Sequence, residues 1–255
     1  MAIFDDIAAV NGLVVGASQG IGLEFVRQLL KYYPTGQFFA TYRTTPGPAL
    51  TTLGEQASDR LHLIPMDITD ETQIATGIAQ IRQQVARLHL VMYCVGVLHD
   101  DNLQPEKSLQ QIQAEGLLRY FQVNSIGAVL LAKHLVPLVK HSDRSVLATI
   151  SAKVGSIGDN ELGGWYGYRA SKAALNMLMR TTAIEYRRKS PNTLVVMLHP
   201  GTTDTRLSKP FQRNVPPEKL FPVERTVAQL LTVIQALPPD ASGQFFSWDG
   251  SRLPW

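Results

Sequence analysis

In the stretch "GGWYGYRASKAALN", residues 163–176, Tyr168 stands four residues before Lys172, and a second tyrosine, Tyr166, stands six before it. Side chains four apart share a helix face and those six apart do not, so Tyr168 is the lysine's partner. A free tyrosine, with a pKa of about 10, is a poor proton donor or acceptor at neutral pH. An ammonium group nearby favours the phenolate and lowers that value. A phenol tuned in this way can protonate a carbonyl oxygen as hydride reaches the carbon, or take the proton from an alcohol in the reverse direction. Tyr-x-x-x-Lys also occurs by chance on ordinary helices, so this chemistry gains weight only if a hydride source is near.

The segment "LVVGASQGIGLEF" supplies the candidate source. It places Gly16, Gly20 and Gly22 directly after one apolar run and at the start of a helical pattern. Glycine permits a tight turn and close approach of backbone to a pyrophosphate, and a helix N-terminus offers free N–H groups to phosphates. A turn that needs glycine for sterics alone is the alternative. After the next apolar run, "ATYRTTPG" puts Tyr42 where an acid would bind the ribose hydroxyls of NAD, and Arg43 follows it. An arginine there can pair with the extra phosphate of NADP, so NADP(H) is the expected cofactor, against a solvated arginine opening a loop.

These groups need a scaffold, and the remaining pattern describes one. Seven short apolar runs at 12–15, 37–42, 61–65, 88–95, 145–151, 193–199 and 243–248 read as buried strands. Helical periodicity occupies about 20–32, 70–86, 113–140, 167–188 and 224–236. Their alternation predicts an α/β fold: a doubly wound, Rossmann-type sheet of seven mainly parallel strands with helices on both faces. No linker or repeat interrupts the 255 residues, which implies a single domain. The proline-containing stretch 201–222 is expected to be a substrate loop.

With Ala17, Ser18 and Ile21, the spacing G-x-x-x-G-x-G resembles the signature of the short-chain dehydrogenase/reductase family, with Val15 where threonine is usual. The likeness runs along essentially the whole chain. It implies cofactor contacts from Gly16, Ser18, Gln19, Gly20, Ile21 and Gly22, and from Asp67 and Ile68 beside the adenine. Asp67 is equally placed to begin the next helix as a cap. "VNSIG" resembles the N-x-x-G element, in which Asn124 breaks a long helix and helps hold a water between Lys172 and solvent. "HPGTTDT" resembles the motif in which Pro200, Gly201 and Thr203 line the nicotinamide and Thr205 bonds its carboxamide, while Tyr168 and Lys172 also touch the cofactor. The usual Asn-Ala-Gly is here Cys94-Val95-Gly96, so ribose contacts there must use backbone, and Cys94 reads as a small buried hydrophobe.

The same likeness expects two serines at the end of the fifth strand, the second orienting the substrate carbonyl. The chain has "TISAKVGSIGDN", so Ala152 stands in the second position and Ser151 and Ser156 compete for the role. Ser151, which ends the strand, is the narrow preference, although adjacent strand residues face opposite sides. Leu98, Trp165, Leu207 and Phe211 would border an apolar pocket for hydrophobic or aromatic carbonyls. "GVLHD", "GSIGDNELGGWYGYRASKAALN" and "WDGSRLPW" look most like the branch holding C-factor signalling proteins and sniffer-type carbonyl reductases. That branch makes two functions credible: a carbonyl reductase, or an NADP(H)-binding regulatory protein without required turnover.

Composition narrows the rest. A net charge of +3 is scattered, which argues against a nucleic-acid surface. The single cysteine excludes an internal disulfide, and six dispersed histidines lack metal-ligand spacing, so no metal is expected. The N-terminus lacks an apolar signal core and no run reaches the length of a membrane span, so a cytoplasmic protein is expected. The apolar "LLAKHLVPLVK" points to a homo-oligomer, at least a dimer.

Overall fold

The computed structural model describes residues 3–255. Seven strands form one sheet: β1 Gly12–Val15, β2 Phe38–Tyr42, β3 Leu61–Pro65, β4 Leu90–Tyr93, β5 Ser145–Ile150, β6 Thr193–His199 and β9 Phe245–Ser247. Their order is β3-β2-β1-β4-β5-β6-β9, and every neighbouring pair is parallel. Strands buried on both faces need apolar residues at successive positions, which explains the continuous runs. Leu13, Phe39, Val91, Leu147 and Val195 pack on the side of α3 (Glu71–Gln84), α5 (Gly127–Val139) and α6 (Tyr166–Lys189). Val14, Ala40, Met92, Ala148 and Val196, one residue along each strand, pack on the side of α1 (Gly20–Tyr32) and α7 (Val223–Gln235). The chain reverses its winding direction between β1 and β4, so a crevice opens at the carboxyl ends of those strands.

Two departures from the sequence pattern have local causes. An additional helix, α2 (Pro48–Gln56), follows β2; Pro48 occupies its first turn and Leu50 is its one fully buried residue, so no apolar stripe announced it. The helical periodicity over 113–140 is divided into α4 (Ala114–Phe121), a π turn at Gln122–Ile126, and α5, with the break at Asn124 where the N-x-x-G resemblance put it. At this break the Tyr93 hydroxyl donates to the Val123 carbonyl at 3.0 Å, and a Cβ on Gly127 would lie 2.9 Å from that hydroxyl.

Against the expectation of none, Ala114–Val139 has the length and hydropathy of a membrane span, but 56% of its apolar window is buried inside the fold, as in a core helix. The stretch 201–222 is not wholly irregular: Thr202–Thr203 (β7) pairs in parallel with Leu220–Phe221 (β8), and short 3-10 turns lie between.

Candidate active site

The turn from β1 to α1 is shaped by its glycines. Gly16 and Gly20 have φ of 82° and 55°, and a Cβ on Gly22 would fall 2.1 Å from the Gly16 carbonyl oxygen. The Gly16 N–H donates to Thr41 Oγ1 and the Ala17 N–H to the Thr41 carbonyl, which ties the turn to β2. Gln19, at the N-cap, has extended backbone and makes no side-chain cap bond, and Ser18 and Ile21 flank it half-buried. The first turn of α1 thus offers N–H groups to an anion. Tyr42 is half-buried at the end of β2, and Arg43 is exposed beyond it. These features fit the diphosphate end of a dinucleotide: the groove is one that a Cβ would fill, beside an uncapped helix terminus.

Asp67 and Ile68 follow β3. Asp70, not Asp67, caps α3, accepting from the N–H groups of Thr72 and Gln73. Asp67 Oδ1 instead accepts from Thr69 N and Oγ1 at 2.9 and 2.7 Å. Beyond β4, the Cys94 N–H donates to the Val15 carbonyl and Val95 packs against Gly16, so this segment forms the floor under the glycine turn. Burial pushes the Cys94 thiol well above its ordinary pKa, which suits an inert packing residue.

Gly96 is where floor and proton chemistry meet, since a Cβ there would sit 3.4 Å from Lys172 Nζ and 3.5 Å from Asn124 Oδ1. Asn124 is fully buried; its amide accepts from the Val97 N–H at 2.7 Å and donates to the Val97 carbonyl and to Ser171 Oγ. Lys172 is 3% exposed and its Nζ donates to the Ile150 carbonyl at 2.9 Å. Burial lowers its pKa to about 8. Tyr168 is 7% exposed and Tyr166 is 37% exposed, so the helix face separates the two tyrosines in the sense the spacing predicts. The direction of the Tyr168 shift differs from the expectation: burial raises the phenol rather than Lys172 lowering it. The reason is geometric, because Lys172 Nζ stands 5.9 Å from the centre of the tyrosine ring and bonds a carbonyl of β5.

Around Tyr168 lies an apolar cluster of Leu98, Leu103 and Tyr120, joined by Ala152, Trp165, Leu207 and Phe211. Leu98, Trp165, Leu207 and Phe211, the four residues expected to border a substrate pocket, all belong to this cluster. Trp165 stacks edge-on against both Phe211, at 4.9 Å, and Tyr168, at 6.1 Å. Ala152 is the residue of the β5 end that faces this cluster. Ser151 Oγ donates to Asn176 Oδ1 at 2.6 Å, and Ser156 Oγ accepts from the Asp159 N–H at 3.3 Å. Both hydroxyls therefore have protein partners outside the cluster. Tyr120, Leu103 and Glu106 escaped the sequence reading; they come from a loop and a short helix without a motif.

Gly201, φ 72°, follows Pro200 and leaves room for the Phe221 ring, 2.6 Å from where its Cβ would be. Thr203 is turned into the core, its Oγ1 hydrogen-bonded to Thr226 Oγ1 at 2.9 Å, whereas Thr205 lies against Gly20 and brings this loop over the glycine turn. At the opposite end of the sheet, among the described residues, His89, His141 and Asp143 bring metal-ligating atoms within 4.8 Å of one another. One nitrogen of each ring is taken, His89 Nδ1 accepting from the Asn11 N–H and His141 Nε2 donating to the Leu88 carbonyl, and Asp143 pairs with Arg87 at 2.8 Å; His89 Nε2 lies 3.4 Å from Asp143 Oδ2, and His141 Nδ1 is buried without a hydrogen-bond partner.

Comparison with known proteins identifies the family and the fold. Residues 11–216 match the family model described as short chain dehydrogenase. The C-signal of Myxococcus xanthus is 30% identical over 148 residues, which are 58% of this chain and 84% of the relative. The structure of an NADPH-bound carbonyl reductase from chicken fatty liver is similar with a TM-score of 0.84 and 29% identity, over 97% of this chain and 99% of the other. A carbonyl reductase from Pseudomonas aeruginosa PAO1 in complex with NADP is similar with a TM-score of 0.72 and 27% identity, over 96% and 100%.

Proposed function

Because the chain belongs to the short-chain dehydrogenase family, we propose that it is an NADP(H)-dependent oxidoreductase that interconverts a hydrophobic carbonyl compound and its alcohol, with Tyr168 as the acid and base. The observation that carries this reading is the buried Tyr168–Lys172 pair in an apolar cluster beside the glycine turn. NADPH, held by the turn from Gly16 to Gly22, the Cys94–Gly96 floor and Pro200–Thr205, with Arg43 at its extra phosphate and Asp67 and Ile68 by its adenine, would supply the hydride.

The residues of this chain do the rest. Burial keeps the Tyr168 phenol protonated at neutral pH, so it stands ready to donate to a carbonyl oxygen. Lys172, with a pKa of about 8, is cationic at pH 7 and stabilises negative charge as the proton leaves the phenol. Asn124 holds the Val97 backbone, which keeps the cluster closed on that side. Trp165 and Phe211 favour a flat aromatic or aliphatic group and offer nothing to a charged acid. The test is NADPH oxidation with a panel of aromatic and aliphatic ketones and aldehydes, with Tyr168→Phe as the control.

A second reading is favoured by one observation, Ala152 facing the cluster where an orienting hydroxyl is expected. In it the chain binds NADP(H) as a regulatory protein without required turnover. Tight NADPH binding with no oxidation across the whole carbonyl panel would select that reading. We also propose a homodimer, with its contact moved from where the sequence put it. Most apolar side chains of 130–140 enter the core, whereas Leu118, Ile126, Met177 and Ile184 remain exposed on the helices beside them. Sedimentation showing only a 28.2 kDa species at micromolar concentration would oppose the dimer.

A further inference from the structure

We propose that Glu106 is a positioning residue for Tyr168, serving as a cap for helix α6 delivered from the loop between β4 and α4; this rests on Tyr168 being the proton donor. The first N–H groups of a helix have no partner within it, and a short polar side chain at the N-cap normally takes one. At that position α6 has Trp165, without a side-chain cap bond, and no acidic residue in its first turn. Glu106 replaces the local cap from sixty residues upstream. Its Oε2 accepts from the Gly167 N–H at 3.1 Å, and its backbone carbonyl accepts from the Trp165 N–H.

Several features show that this contact is built into the fold. Glu106 is only 5% exposed, and a polar side chain held that far from water needs hydrogen bonds in its place, here from the first turn of a 24-residue helix. Gly167 is required for the approach, since a Cβ there would lie 2.3 Å from the Tyr120 ring and 2.9 Å from Glu106 Oε1. Among the described residues, Trp165 is the one non-glycine residue with positive φ, at 53°, a conformation unfavourable for a bulky side chain unless its surroundings hold it.

Glu106 therefore grips the residues on both sides of Tyr166: Trp165, which forms the pocket wall, and Gly167, whose neighbour is Tyr168. Tyr168 sits in the first turn, which frays if the cap is lost. Lys172 sits one turn further on and retains its own bond to the Ile150 carbonyl. Loss of Glu106 should consequently impair proton delivery while leaving cofactor binding intact.

The experiment compares Glu106→Ala, Glu106→Gln and Tyr168→Phe in the full chain. It measures kcat and KM for an accepted carbonyl substrate, NADPH affinity by fluorescence, and the melting temperature. Glu106→Ala should lower kcat by about tenfold or more, as expected for a reacting group displaced by a fraction of an ångström, with NADPH affinity within about twofold of the parent. Glu106→Gln, which keeps an acceptor oxygen in place, should recover most of that kcat. Parental kcat in Glu106→Ala, an equal loss of kcat and NADPH affinity, or a glutamine variant as impaired as the alanine one would each overturn the proposal. If the alanine variant does not fold, Glu106→Asp takes its place: kcat below that of Glu106→Gln supports the proposal and equality refutes it. Full turnover in Tyr168→Phe would instead overturn the proton-donor reading itself, whatever the Glu106 variants do.

Discussion

The two halves of the crevice are built differently. On the β1–β3 side, the proposed cofactor groove is made by backbone: glycine turns, an uncapped helix and short contacts that exclude a Cβ. On the β4–β6 side, the proposed substrate pocket is made by large side chains gathered from separate loops and helices, with Leu98, Tyr120, Trp165, Leu207 and Phe211 meeting around Tyr168. A backbone-built groove constrains residue type tightly and can serve one unchanging ligand. A pocket walled by side chains can be reshaped by substitution without disturbing the groove. The two halves should therefore fail separately.

The strongest test of that separation is Tyr168→Phe. It should lower turnover by at least about a hundredfold and leave NADPH affinity unchanged, because it removes one oxygen from the side-chain half. Tyr166→Phe, on the exposed face, should leave turnover near the parent value, and equal losses from the two changes would defeat the assignment of the helix face. Arg43→Ala attacks the other half. Its exposed guanidinium should account for about ten- to a hundredfold in NADPH affinity, read by fluorescence titration against NADH, with the substrate KM unchanged. Equal binding of NADH and NADPH by the parent chain would remove this role from Arg43.

A smaller effect comes from the charge at the seam. The folded pKa of Lys172 is about 8, below the ordinary lysine value, so the unfolded chain binds more protons between those values. Lys172 should then add about 1–2 kcal/mol to the stability of the cofactor-free protein between pH 8 and about pH 9.5, a rise opposed in part by the Cys94 thiol, whose raised pKa acts with the opposite sign over the same range. Lys172→Met should flatten that rise in denaturant titrations. The smallest effects belong to the serines. With their hydroxyls on Asn176 and the Asp159 N–H, Ser151→Ala and Ser156→Ala should each change kcat by less than about tenfold at saturating NADPH. A larger loss from Ser151→Ala would restore it as the orienting hydroxyl.

The contrast between the halves also explains what could be read from sequence. The seven strands were legible because both faces of the sheet are buried, which forces apolar runs. Gly16, Gly20 and Gly22 were legible because close backbone contact admits only one residue type. Tyr168 and Lys172 were legible because their relation lies within a single helical turn. The α2 helix was not, since one buried leucine gives no periodicity and Pro48 reads as a breaker. Glu106 was not, because its partner lies on another element and a lone glutamate carries no spacing. Asp67 was read as a possible cap, but α3 begins three residues later, so Asp70 caps it and Asp67 bonds Thr69 instead.

Helix α6 carries Tyr168, Lys172, Ser171 and Asn176 on one rigid rod, whereas the pocket wall at Leu207 and Phe211 hangs from a stretch tied down by the polar contacts of Ser208, Asp204 and Gln212. The wall formed by Leu207 and Phe211 should therefore loosen at a lower temperature than α6. On gentle warming or in low urea, the affinity for the carbonyl substrate should decay first, while molecules that do capture substrate still turn over at an undiminished rate. Adaptation of this scaffold to heat or cold would then fall on the residues of the 204–212 segment, with the helix that carries Tyr168 and Lys172 left as it is.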